Sequence, residues 1–191
     1  MTLAAQTTFD EPVDVLNYAL TLEHLENAFY RDGLEQFSAE DFTDAGYAEA
    51  VHENIIEIGA HEQEHVDTLT SVITDLDGEP VEEGEYDFSA AFADLASFVE
   101  TAGVLENTGV SAYQGAAQFL IGENALLTAA LNIHSVEARH AAYLNGLNGT
   151  SPFPAAVDPP LTPDEVVEAV TPFFATDGTS DTADAEATPE A

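Results

Sequence analysis

The chain has no cysteine, no tryptophan and no lysine among its 191 residues. The absence of cysteine excludes disulfides, thiolate metal sites and cysteine nucleophiles. Basic side chains are almost as scarce, because Arg31 and Arg139 are the only arginines. Binding to nucleic acid or to anionic lipid depends on lysine and arginine that neutralise phosphates. We therefore exclude nucleic acid and the membrane surface as partners.

Acidic residues dominate instead, since 37 Asp and Glu against two Arg give a formal net charge of −35. Such self-repulsion destabilises a compact chain in ordinary salt. Molar salt shortens the Debye length to about 3 Å and removes most of that cost. We interpret the composition as a halophile-type adaptation to a salt-rich cell interior. The hydrophobic content of 45% suits one domain with a substantial core.

Long apolar runs are also missing, because no segment approaches about 20 uninterrupted apolar residues. The N-terminus lacks a positively charged region followed by an apolar stretch, which a signal peptide would need. We therefore expect a soluble cytoplasmic protein.

Helical periodicity recurs in four long stretches, and nothing alternates with period two over a useful length. The sequence predicts an all-α fold, an antiparallel four-helix bundle with a long crossover between the second and third helices and a short C-terminal helix. The long helices are expected at about 11–36, 45–77, 90–120 (with Ser89 as N-cap) and 123–145. We divide the chain into an N-terminal extension (1–10), the bundle (11–149), a C-terminal loop and short helix packing on it (150–175) and a disordered acidic tail (176–191).

Every predicted long helix carries ionisable residues in the middle of its apolar stripe. Buried carboxylates are costly unless they are paired, and two arginines cannot neutralise several of them. A pair of divalent or trivalent metal ions can. The candidate ligands are Glu23 on the first helix, Glu62 and His65 on the second, Glu106 on the third, and Glu137 and His140 on the fourth.

The spacing of these residues supports a metal site. Residues three apart on a helix share a face, so Glu-x-x-His directs an oxygen and a nitrogen ligand to one point. The order Glu, then Glu-x-x-His, occurs twice along the chain and predicts two similar half-sites. A third such motif, Glu49 with His52, lies beside its stripe, and we interpret it as a solvated surface pair.

The seven-residue spacing from Glu23 to Tyr30 is repeated from Glu106 to Tyr113. Both tyrosines are candidates for hydrogen-bond donors to the ligands or for one-electron relays, and ordinary core packing is the simpler alternative. Glu26 lies one turn after Glu23 and could coordinate in its place. We prefer Glu23 because only it preserves the spacing to Tyr30.

Three further residues are close to these motifs in sequence. His24 and His61 each adjoin a candidate ligand but point about 100° away from it on the helix. We expect both at the surface or in contact with a ligand rather than as ligands. Arg139 lies inside the motif of the fourth helix, and we expect it to pair with an acid, with the orientation of a ligand as the alternative.

The segments that carry these motifs resemble the ferritin-like di-metal carboxylate superfamily, and within it the ferritin-like family that includes the desiccation-related proteins. They are residues 22–30, 61–66, 105–117 and 136–142, and the resemblance covers roughly 12–175. It implies a ferritin-like bundle. By position, it also implies terminal carboxylates at Glu23 and Glu106, bridging carboxylates at Glu62 and Glu137, and one metal each for His65 and His140.

Carboxylates and imidazoles without thiolate suit iron or manganese. We therefore expect two metal ions, iron first and manganese as the alternative. The leading hypothesis is a di-iron oxidase of ferroxidase or peroxidase type that uses oxygen or peroxide and protects against oxidative or desiccation stress. The alternatives are a non-enzymatic stress protein or an assembly subunit with a structural metal site, and a manganese catalase-like enzyme. A homo-oligomer is compatible with each of these functions.

Overall fold

The computed structural model describes residues 9–175. The predicted acidic tail and nearly all of the N-terminal extension lie outside the described residues. Within 9–175 the chain forms helices and no strand, only an isolated bridge between Tyr86 and Phe174. The α-helices of this range are α1 (Pro12–Gln36), α2 (Ala39–Asp44), α3 (Ala50–Asp75), α4 (Leu95–Ala116), α5 (Asn124–Leu147) and α6 (Pro163–Val170). The all-α prediction is confirmed.

Two helical hairpins make up the bundle. Helix α1 packs along α3, α4 packs along α5, and contacts of α1 with α4 join the hairpins. The crossover from α3 to α4 follows α1. Asn17 donates to the carbonyl of Glu79 at 3.0 Å, and Arg31 forms hydrogen bonds of 3.0 and 3.1 Å with both carboxylate oxygens of Glu83. These contacts hold the long connection against the bundle.

The apolar core consists of two clusters of buried side chains. One cluster is rich in aromatic residues, in which Phe29 stacks on Phe98 with ring centroids 5.0 Å apart. Gly33 permits this packing, because a Cβ there would lie 2.2 Å from Cε2 of Phe98. The other cluster is largely aliphatic and includes Leu20 and Leu69. Both clusters contain residues of α1, α3, α4 and α5, and the same four helices also carry buried polar residues.

The predicted start of the second long helix, at residue 45, is wrong. The structure has a separate short helix, α2, and α3 begins only at Ala50. Helix α2 begins with a capping box in which Ser38 Oγ accepts from the Asp41 amide at 3.4 Å and the Asp41 carboxylate accepts from the Ser38 amide at 2.7 Å. This Ser-x-x-Asp signal was present in the sequence.

The third long helix begins at Leu95 and not directly after Ser89. Asp94 is its N-cap, since its Oδ1 accepts from the amide of Ser97 at 2.8 Å. The preceding residues form turns instead, because Phe88 and Phe92 both pack in the aromatic cluster. Burial of these two rings outweighed the capping preference of Ser89.

Helix α6 follows the loop after α5 and packs on α4. The predicted capping box is present, since Thr162 Oγ1 accepts from the Glu165 amide at 3.3 Å. Val166 and Val170 are buried, and the Leu161 amide donates to the Ser111 carbonyl at 3.2 Å. No helix in the described part of the chain combines the length and apolar character needed to cross a membrane.

Candidate metal centre

The structure brings all six candidate ligands together in the interior of the bundle. The four glutamates are fully buried, with 0% of their surface exposed, and the two histidines are buried as well. Each comes from the middle of a long helix, where the apolar stripe directs it inward. They are Glu23 on α1, Glu62 and His65 on α3, Glu106 on α4, and Glu137 and His140 on α5.

Their ligand atoms form two overlapping groups. In each group, one atom from every residue lies within 4.8 Å of the atoms from the others. Glu62 and Glu137 belong to both groups, whereas each group has a histidine and a further glutamate of its own. The first group adds Glu23 and His65, and the second adds Glu106 and His140. Two adjacent positions thus share two carboxylates.

The histidine Nδ1 atoms face the carboxylates. Nδ1 of His65 lies 3.0 Å from oxygens of Glu62 and Glu137 and 3.2 Å from Glu23. Nδ1 of His140 lies 3.0 Å from Glu62 Oε1. In both residues Nδ1 is therefore directed to the shared Glu62 and to the unshared glutamate of its own group.

Several of these close atoms lack a hydrogen-bond partner of correct geometry. They are Oε1 of Glu62, both carboxylate oxygens of Glu137, Oε2 of Glu106 and Nδ1 of His140. Atoms that converge on a common point, rather than on each other, produce this arrangement. Ligands about 2.1 Å from one ion in octahedral geometry lie about 3.0 Å apart. The residues present therefore fit a pair of metal ions.

The electrostatics of the centre also favour added positive charge. Burial, together with the nearby Glu106, raises the pKa of Glu62 to about 7. Burial and Glu62 raise the pKa of Glu137 well above its ordinary value. Burial lowers the pKa of His140, but the close carboxylates of Glu106 and Glu62 outweigh it and raise this pKa to about 9. Without metal, the cluster therefore retains protons that cations would displace.

Two buried tyrosines contact the unshared glutamates, each across the hairpin boundary. The hydroxyl of Tyr30 on α1 donates to Glu106 Oε1 at 2.6 Å. The hydroxyl of Tyr113 on α4 donates to Glu23 Oε1. Burial raises the pKa of both tyrosines well above the ordinary value, so both remain protonated donors. The structure therefore places both tyrosines beside the cluster.

A third histidine extends the cluster toward solvent. Nδ1 of His61 lies 2.9 Å from Nε2 of His140, and the rings stack with centroids 5.2 Å apart. The side chain of His61 is 40% exposed. His24 points elsewhere, since its Nε2 lies 3.1 Å from the carbonyl oxygen of Val81 in the crossover. His61 thus lies between the buried His140 and the surface.

Glu26 is an additional buried carboxylate beside the cluster. Glu23 and Glu26 are both buried, but only Glu23 belongs to a ligand group. A Cβ at Gly109 would lie 3.2 Å from an oxygen of Glu26 and 3.2 Å from Glu137 Oε2. Gly109 follows Glu106 by three residues, as Glu26 follows Glu23. The missing side chain at Gly109 leaves space for the Glu26 carboxylate.

Two of the remaining sequence expectations concern residues away from the cluster. His52 belongs to neither ligand group. Its ring packs edge-on against Phe42, with centroids 5.3 Å apart.

The expectation that Arg139 pairs with an acid is wrong within the described residues. Its Nη2 donates to Ser135 Oγ at 3.3 Å, one turn earlier on α5, because the exposed side of that helix offers no carboxylate there.

A family model described as a ferritin-like domain matches residues 11–150. The matched region contains helices α1 to α5 and all six residues of the two ligand groups. No curated protein matches the chain.

Proposed function

The chain belongs to the ferritin-like domain family, and from this premise we propose that its buried cluster binds two metal ions and that the iron-loaded protein is a ferroxidase- or peroxidase-type oxidoreductase. The observation that carries the proposal is the sharing of Glu62 and Glu137 between two groups, each with its own histidine. Two divalent ions balance the charge of the four carboxylates. The two arginines of the chain could not neutralise all four.

Each residue has a definite part in this proposal. Glu23 and His65 would hold one ion, Glu106 and His140 the other, and the two shared glutamates would lie between them. Bound iron would supply the electrons that reduce oxygen or peroxide. Oxygen and nitrogen donors without thiolate support iron or manganese as the metal.

The surrounding side chains would keep the centre ordered. Tyr30 and Tyr113 each hold one oxygen of an unshared glutamate by a hydrogen bond, which leaves the second oxygen free to bind. The apolar packing around the helices excludes water from the four glutamates, each of them fully buried. Loading releases the protons that Glu62 and Glu137 retain, because ligands must be deprotonated to bind.

The physiological part of the proposal is the consumption of Fe²⁺ together with oxygen or peroxide in the cytoplasm under oxidative or desiccation stress. The acidic composition supports a salt-rich setting, in which screening removes the self-repulsion of the chain. Removal of Fe²⁺ and peroxide together would prevent the damage that their mixture causes.

The first experiment measures metal per chain by elemental analysis of protein purified in molar salt without chelators. Anaerobic Fe²⁺ loading and an oxygen pulse follow. Two ions per chain, with Fe²⁺ oxidised over repeated additions, are expected. Glu62→Ala and His140→Ala should each lose most of the metal, whereas His52→Ala should keep it, because His52 lies against Phe42. No metal retained or taken up would overturn the proposal.

The same samples separate the alternative functions. Two tightly bound ions with no turnover, and a large fall in melting temperature on their removal, would instead indicate a structural metal site. Disproportionation of peroxide by the manganese-loaded protein, and not by the iron-loaded one, would indicate a catalase-like enzyme. In each case the metal site would remain and only the assigned reaction would change.

A further inference from the structure

The outward faces of α3 and α5 differ sharply in charge, although both helices hold a Glu-x-x-His pair on their inner faces. On α3 the exposed residues include five acids, namely Glu53, Glu57, Glu64, Asp67 and Asp75. On α5 no exposed residue is acidic, and Glu137, its single acid, is buried in the cluster. In a chain of net charge −35, a helix of 24 residues with no exposed acid is the exception that needs an explanation.

Large apolar side chains are exposed on the same side of the molecule. Leu131 on α5 is 52% exposed, and Phe153 and Val157 in the following loop are 79% and 83% exposed. The loop turns back along the hairpin of α4 and α5, because Asn148 at its start donates to the carbonyl of Val99 and Leu161 at its end donates to the carbonyl of Ser111, further along α4. Asp158 is the only charged residue between Gly149 and Leu161. An exposed apolar patch of this kind marks an interaction site.

A cation without an acidic partner lies beside these apolar side chains. Within residues 9–175, Arg31 forms ion pairs with Asp32 and Glu83, whereas no carboxylate lies within ion-pair distance of Arg139. Arg139 is exposed on α5, one turn after Ser135 and two turns after Leu131. In so acidic a protein, this cation reduces the local negative charge and makes the α5 side less repulsive to another acidic molecule.

We propose that a second copy of this chain docks on the α5 face, defined as Leu131, Ser135, Ala138 and Arg139 together with Phe153 and Val157 of the loop. Two copies that each carry −35 repel one another wherever their acidic faces meet. The α5 face is where that repulsion is least, and apolar contact there can hold the copies together.

The length of α5 sets the scale of the face. Helix α5 has 24 residues, which gives a length of about 36 Å and, with a helix diameter of about 10–12 Å, a projected area of roughly 400 Å². This is about half of the ~800 Å² per partner of a standard-size interface, and the loop supplies further apolar surface. A basic protein, in contrast, would find its charge complement on the acidic faces. A two-fold dimer uses one patch on both copies, so an apolar patch whose helix exposes no acid suits self-association.

The experiment is sedimentation velocity of the full chain in molar salt over a range of concentrations. The wild type should sediment at twice the mass of one chain. Leu131→Glu and Val157→Glu should each weaken dimerisation at least about 100-fold, because each buries like charges against one another across the two-fold axis. The matched control is Ile56→Glu on α3, where the side chain is 47% exposed and the dimer should persist.

A crosslink provides a second readout that does not depend on a loss of association. Because the chain has no cysteine, Ser135→Cys would introduce its single thiol, and oxidation should give a covalent dimer. The matched variant Ser71→Cys, on the exposed side of α3, should remain uncrosslinked. A monomeric wild type, or a dimer that survives both Leu131→Glu and Val157→Glu, would overturn the proposal. Neither result depends on the metal centre.

Discussion

The hydroxyl of Tyr30 on α1 donates a 2.6 Å hydrogen bond to Glu106 on α4, across the boundary between the two hairpins. In the opposite direction, the hydroxyl of Tyr113 on α4 donates a hydrogen bond to Glu23 on α1. Each tyrosine thus holds the glutamate of the opposite hairpin and not the glutamate of its own helix. The unshared ligands keep their positions only when both hairpins are docked.

Tyr30→Phe should destabilise the metal-free protein by about 1–3 kcal/mol, because it leaves a buried Glu106 oxygen without its donor. Thermal or denaturant unfolding in molar salt measures the change. Tyr143→Phe is the control, since its hydroxyl accepts from Asn54 at an exposed position, and it should stay within about 0.5 kcal/mol of wild type. Equal effects of the two changes would show that the Tyr30 bond contributes nothing specific.

His61→Ala should weaken metal binding at the His140 position by about 10–100-fold, as the loss of a partner that orients a ligand does. When Nδ1 of His140 binds a metal ion, its Nε2 carries the proton and donates to Nδ1 of His61, 2.9 Å away. Titration with a metal indicator measures the two affinities separately.

Two comparisons test this assignment of His61. His61→Asn retains an acceptor near the position of Nδ1 and should restore most of the affinity. His24→Ala should leave both affinities unchanged, because His24 contacts the Val81 carbonyl instead. Equal losses from His24→Ala and His61→Ala would argue against a specific role for His61.

Gly109→Ala should lower both stability and metal affinity, because its Cβ would lie 3.2 Å from oxygens of Glu26 and Glu137. Gly146→Ala is the matched change, since Gly146 also lies in a long helix but has nothing within 4 Å of the added Cβ. It should stabilise the protein by about 0.5–1 kcal/mol through helix propensity. Melting temperatures and metal titrations check both changes, and an identical gain at both positions would contradict the packing at Gly109.

The metal-free protein should lose stability as the pH rises from about 5 to 9. Glu62 has its pKa raised from 4.5 to about 7, and His140 has its pKa raised from 6.5 to about 9. A raised folded-state pKa stabilises the protein fully below the unfolded value, and that contribution is lost as the pH passes the folded value. The windows are therefore 4.5 to about 7 for Glu62 and 6.5 to about 9 for His140.

Melting temperatures of the chelator-treated protein in molar salt measure this dependence. Glu62→Gln should flatten the lower window and also narrow the upper one, because Glu62 is one of the carboxylates that raise the pKa of His140. A melting temperature that stays constant or rises over this range in the wild type would contradict the prediction.

Much of the centre could be predicted because a carboxylate inside an apolar stripe is visible in one helix at a time. The pairs Glu62 with His65 and Glu137 with His140 needed only the helical period. The contact of His61 with His140 could not be derived this way, since it depends on how α3 and α5 are rotated against each other. The position of Glu26 beside the cluster could not be predicted for a similar reason. Gly109, on another helix, leaves the space that the Glu26 carboxylate occupies.

Helix ends were harder to predict than helix interiors. Ser89 has a good capping side chain, but the burial of Phe88 and Phe92 decides the conformation before α4. Residues 39–44 were missed because the long periodic pattern that follows masks a helix of six residues. In both cases tertiary packing or short length outweighed the local signal.

The division into two hairpins has a consequence for the rate of folding. Helices α1 and α3 are close in sequence, as are α4 and α5, and local contacts of this kind form quickly. Docking of the two hairpins has a greater entropy cost of loop closure. Docking is also the step that buries the four glutamates of the two ligand groups together. In metal-free refolding we expect docking to be rate-limiting. Divalent ions present from the start should then speed the last phase and leave the early helix formation unchanged.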